Sequence, residues 1–134
     1  MSDNSPQRLH EVFFYGLYMD PDILLQKGVE PRNPRMGKVE NYKLKIGNKA
    51  TLLRETGAVA HGMVYSLTHA EINSLYWGAG LDEYAAEAMR VKAGSNDISA
   101  LCCNLIVPPE ENESNQEYQT KLIQVMAKLG IPQE

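Results

Sequence analysis

Apolar and polar positions along this chain fall into short runs whose period keeps changing. Val12-Phe13-Phe14-Tyr15 is a continuous apolar and aromatic stretch, the pattern of a buried strand. Asp20 and Pro21 follow it. Aspartate can accept from orphan backbone N–H groups and proline suits the first helical position, so a helix is predicted through Ile23, Leu24 and Leu25, stopping near Gly28. Pro31, Pro34 and Gly37 mark residues 29–37 as a loop. In "GKVENYKLKIG", Tyr42, Leu44 and Ile46 alternate with Lys43 and Lys45, as in a half-exposed strand. "ATLLRE" and "GAVAHGMVYSL" are two further strand candidates.

Helical spacing then returns. Thr68 and Glu71 match a capping box, with Ile72 and Leu75 on the apolar side of a helix that Gly78 and Gly80 interrupt. "DEYAAEAMRV" and "ISALCCNLIV" read as strands joined by a turn at "GSND". Pro108 and Pro109 end the second of them, and the acidic loop "EENES" follows. Ser114 and Glu117 suggest a second capping box. Tyr118, Leu122, Val125 and Leu129 recur at helical spacing, closed by Gly130 and Pro132. Regular β-α alternation is missing, which argues against a doubly wound parallel sheet and favours a small twisted sheet or barrel with helices around it.

Residues 1–10 are polar and are expected to form a flexible tail, with one domain over 11–134. A chain of 134 residues can bury a core without metal or disulfide staples. The net charge of -4 argues against nucleic acid, which wants a basic surface. No run approaches the roughly 18 apolar residues of a membrane span. Cys102 and Cys103 are adjacent in an apolar strand, so they are expected on opposite faces as buried free thiols. With the polar start "MSDNSPQRLH", they suggest a cytoplasmic setting. His10, His61 and His69 lack metal-ligand spacing, and phosphate-loop and G-x-S-x-G motifs are absent, so no metal site, phosphate loop or hydrolase triad is expected.

Two segments carry candidate chemistry. The Tyr15-Gly16-Leu17-Tyr18-Met19 corner leaves a strand and enters a helix, which exposes N–H groups suited to a carboxylate or an oxyanion; the other reading is an ordinary glycine corner. "YWGAGLDEY" sets Asp82 and Glu83 beside Trp77 and Tyr84, where a shielded carboxylate could serve as a base; the other reading is a solvated turn.

In order along the chain, "VFFYGLYMDPDIL", "AHGMVYSLTHAEINSLY" and "EYAAEAMRV" resemble the gamma-glutamylcyclotransferase-like family. They look like its opening strand with a Y-G-S/T-x-L/M loop, its G-x-V/L-Y strand with a short helix, and its tyrosine-led strand. The resemblance runs from about Glu11 to Val107. It implies an α+β fold: a small mixed β-barrel of about five to seven short strands with helices packed outside. It also implies a cofactor-free reaction in which a gamma-glutamyl amine or peptide closes to 5-oxoproline and releases an amine.

Carried over by motif, the substrate-binding residues are Tyr15, Gly16, Leu17, Tyr18, Met19 and Tyr84. The family's serine or threonine after Y-G is Leu17 here, and Ala79 stands where its proton-transferring glutamate is expected. Glu83 is the candidate replacement for catalysis. The expected partner is a small molecule carrying a gamma-glutamyl or similar carboxylate and amine group. The alternatives are a protein of the same fold that binds an amino-acid-like ligand without turnover, and an interaction module using the acidic loop Glu110 to Glu113 and the final helix.

Overall fold

The structure, a computed structural model, describes residues 5, 7–81 and 83–132. Among them, five strands close into a barrel in the order β1-β3-β2-β4-β5. The strands are β1 (Leu9–Phe14), β2 (Arg32–Ile46), β3 (Ala50–Thr68), β4 (Tyr84–Ala93) and β5 (Asn96–Leu105). Four neighbouring pairs are antiparallel; β1 and β5 meet in parallel at Val12 and Leu101 and close the barrel. The expected mixed barrel is therefore present, with two strands much longer than the short strands expected.

The difference lies in how the β2–β3 hairpin is built. Residues 32–37, expected in a loop, belong to β2. Asn33 adopts a φ of 53° and the register shifts between Arg32 and Arg35, so Pro34, which has no N–H, falls at a ladder irregularity. The two strand candidates at 50–55 and 57–67 are one continuous strand, β3. Gly57, at φ 87°, bends without ending it: a register shift between Glu40 and Tyr42 absorbs the bend opposite, and the Gly57 N–H donates to Asn41 Oδ1 at 3.0 Å.

Leu9 and His10, expected in the tail, pair with Thr68 and Leu67 as the first residues of β1. The remaining tail expectation, for residues 1–4 and 6, lies outside the described residues. His10 also meets His69 edge to face, with ring centroids 5.8 Å apart.

Three helices pack on the barrel. A 3-10 turn, Leu17–Met19, leads into α1 (Pro21–Gln26), where the Asp20 carboxylate accepts from Asp22 N–H as expected of a cap. α2 (His69–Leu75) has the complete Thr68–Glu71 capping box. α3 (Gln116–Leu129) starts one residue later than expected. Asn115, not Ser114, is the cap and accepts from Tyr118 N–H at 3.0 Å; Glu117 supplies first-turn negative charge. Lys128 near the end of α3 pairs with Asp20 and Asp22, fastening α3 to the start of α1.

Alternation along the strands divides the core in two. Phe13, Val39, Leu52, Val64, Val91 and Cys102 fill the barrel interior. Val12, Phe14, Tyr65 and Cys103 face the helices and pack with Leu24, Ile72, Leu75 and Leu122. Burying each such side chain contributes about 1.5–3 kcal/mol. The adjacent cysteines are free, buried and on opposite faces. Among the described residues no helix is long and apolar enough to cross a membrane.

Candidate functional site

One end of the barrel holds a cavity of about 230 Å³. Its walls come from five places in the chain. The end of β1 and the corner after it bring Phe14 to Tyr18, and the turn between β2 and β3 brings Asn48 to Ala50. The turns after α2 supply Tyr76 and Leu81, β4 opens with Tyr84, and α3 adds Tyr118. Five tyrosines thus surround a space in which Lys49 is the charged residue among the described lining.

Three of the tyrosines are fixed by hydrogen bonds to backbone carbonyls. Tyr15 Oη donates to Cys103 O at 2.5 Å, Tyr84 Oη to Ala50 O at 2.7 Å, and Tyr18 Oη to Leu75 O at 3.0 Å. Burial raises the pKa of all five phenols, most strongly in Tyr15 and Tyr76. They remain protonated at neutral pH, so none is a base. Edge contacts between Tyr18 and Tyr76 and a tilted contact between Tyr76 and Tyr84 lock the rings together.

The corner Tyr15 to Met19 departs from the expected open cradle. Leu17 N–H donates to Tyr118 Oη at 3.1 Å. Met19 N–H donates to Gly16 O at 3.0 Å, and the Met19 side chain is fully buried in the helix-facing core. Met19 therefore does not line the cavity; the 3-10 turn uses its N–H and rotates its side chain inward. The N–H groups of Gly16 and Tyr18 make no hydrogen bond among the described residues. Gly16 is needed here for space, not for its backbone angle. Its φ is -115°, and any Cβ at this position would overlap the Tyr118 hydroxyl.

Glu83, the candidate base, does not line the cavity. Its side chain is 54% exposed and its carboxylate pairs with Lys49, so it stands at the mouth and reaches the wall through that lysine. Asp82 lies outside the described residues. Ala79 is exposed in a series of tight turns, with its N–H donating to Tyr76 O at 3.2 Å. Tyr15, Gly16, Leu17, Tyr18 and Tyr84 all line the cavity. Lys49 and Tyr118 were not foreseen. Tyr118 reads as one more apolar residue of a helix face, and Lys49 as a charge beside a turn.

Solved structures with this architecture identify the fold. The chain superposes on a gamma-glutamyl cyclotransferase with a TM-score of 0.78 at 18% identity, covering 93% of this chain and 82% of that one. The fold is gamma-glutamylcyclotransferase-like. YkqA from Bacillus subtilis matches with a TM-score of 0.76 at 20% identity, over 90% of this chain and 49% of YkqA, so the chain spans about half of YkqA's length. An aig2-like protein from Mus musculus matches with a TM-score of 0.62 at 14% identity, over 84% of this chain and 83% of that one. No family model matches the chain, and no curated protein matches it in sequence. The gamma-glutamylcyclotransferase-like barrel thus carries, in this chain, a cavity walled by tyrosines and one lysine.

Proposed function

We propose that the cavity binds a small amino-acid-like ligand and that binding, not turnover, is its main task. The observation that carries this reading is the composition of the wall. It offers the free N–H groups of Gly16 and Tyr18 and the Lys49 ammonium, which suit a carboxylate, and no described lining residue is a carboxylate able to move a proton. A cytoplasmic setting is part of this reading, supported by the two free buried thiols.

A second reading is favoured by the pairing of Glu83 with Lys49 at the mouth. In it, the protein cyclises a gamma-glutamyl amine or peptide. The substrate's α-amine attacks its own γ-carbonyl, and the C–N bond to the leaving amine breaks as 5-oxoproline closes. Glu83 takes the proton from the attacking amine and returns it to the leaving amine. Such transfer is worth roughly 10²–10⁴ in rate.

One pair of measurements separates the two. Gamma-glutamyl peptides are titrated into the protein by calorimetry, and 5-oxoproline release is followed on the same samples. Saturable binding without product supports the first reading. Product that disappears in Glu83→Gln supports the second. The absence of both binding and product would remove the second reading and strike gamma-glutamyl compounds from the ligands of the first.

A further inference from the structure

The wall that admits a carboxylate is a poor host for an ammonium. Lys49 places a positive charge on it, and no described lining residue supplies a negative one. The hydroxyls of Tyr15, Tyr18 and Tyr84 donate to the carbonyl oxygens of Cys103, Leu75 and Ala50, respectively, and carry no formal charge to offset an ammonium. Among the described residues, the carboxylate of Glu83 is exposed and already holds Lys49, and that of Glu113 is already held by the Asn48 N–H. An ammonium carried into this space would be desolvated beside a like charge, which is strongly unfavourable. A ligand carboxylate meets the opposite situation: it can exchange with Glu83 for the half-exposed lysine and accept from Gly16 and Tyr18 N–H. The remaining surface is largely aromatic and apolar, with Phe14 and Leu81 beside the tyrosines in the lining, and favours a flat apolar body.

From this we infer that the ligand is a small carboxylate with an apolar, ring-sized body and no free ammonium, such as an aryl-acetate or an N-acylated aromatic amino acid. Lys49 is the residue that selects it. The inference rests on the reading of the cavity as a ligand site and narrows its ligand class.

The test is a calorimetric titration of the full chain with phenylacetate, N-acetylphenylalanine, phenylalanine, phenethylamine and gamma-glutamylphenylalanine. The two acids without an ammonium should bind at least about tenfold tighter than phenylalanine or phenethylamine, the scale of one charge-assisted contact. Lys49→Met should weaken them by about tenfold and Lys49→Arg should retain most of the affinity. A melting curve for each variant confirms that it folds. Equal affinity for phenylalanine overturns the inference, as does an unchanged affinity in Lys49→Met. Preferential binding of phenethylamine also overturns it and assigns the tyrosine rings to cation recognition. Binding of gamma-glutamylphenylalanine alone overturns this inference and leaves the ligand-site reading standing. Silence from all five compounds overturns both.

Discussion

Tyr118 of α3 rests directly on Gly16, with its hydroxyl accepting the Leu17 N–H in the space where a side chain at position 16 would begin. The two residues are therefore coupled. Gly16→Ala should destabilise the fold by about 1–3 kcal/mol, because the phenol must move. Tyr118→Phe alone should lose about 1 kcal/mol with the hydrogen bond. In the Tyr118→Phe background the alanine should be tolerated better, since the clashing oxygen is gone. Denaturant unfolding of the four proteins measures this, and additive losses would show that the contact is not the reason for the glycine.

Gly62 presents a harder restriction. A Cβ there would overlap the Phe14 carbonyl oxygen and stand 2.8 Å from Phe13 Cζ. The first obstacle is backbone in the β1–β3 ladder, which cannot swing aside as a phenol can. Gly62→Ala should therefore be more destabilising than Gly16→Ala, and a lower melting temperature than that of the Gly16 variant is the expected result.

Alkaline unfolding should be governed by the tyrosines. Burial holds Tyr15 and Tyr76 far above their ordinary pKa, and burial together with the Asp20 charge pushes Tyr65 up to about 12. The folded values are raised, so their contribution to stability is complete below about pH 10, the ordinary phenol value, and is lost as pH climbs through the folded values. Tyrosinate absorbance should stay low as pH rises past 10 and then climb together with loss of circular dichroism. A smooth titration centred on the ordinary value, with the fold intact, would contradict the burial of these phenols.

Acid stability should depend on Glu71. Burial pushes its carboxyl up, but hydrogen bonds from Arg32 and from the N–H groups of Glu30 and Thr68 outweigh that and bring its pKa below the usual range. A lowered folded value gives stability that is complete above about pH 4.3 and is lost as pH falls through the folded pKa. Glu71→Gln should lower the neutral-pH stability by about 1–2 kcal/mol and flatten the acid limb of a melting-temperature curve. An acid limb unchanged in slope would assign the acid sensitivity to other carboxylates.

What was legible in the sequence was local. The Asp20 cap, the Thr68–Glu71 box and the apolar face of α3 each depend on residues within about two turns, and each is present. The hairpin of β4 and β5 was readable for the same reason, since Gly94 at φ 64° marks its turn. The continuity of β3 was not. Gly57, which reads as a break, lies at the register shift and is held there by Asn41, a residue 16 positions away. Likewise Tyr15 and Tyr84 could be placed at a site because they sit in recognisable motifs, whereas Lys49 and Tyr118 reach the cavity through the fold alone. Glu83 was chosen for its position beside Tyr84, but its carboxylate turns outward to Lys49.

The parallel seam between β1 and β5 also sets the order in which the protein can become competent. Tyr15 reaches Cys103 across 88 positions of chain, and Leu17 reaches Tyr118 across 101. Synthesis must pass Cys103 before the first contact can exist and Tyr118 before the second, and contacts this remote in sequence are slow to form. The cavity has no separate existence as a folded fragment. Whatever occupies it will therefore protect the molecule against global unfolding, raising its melting temperature as one cooperative unit.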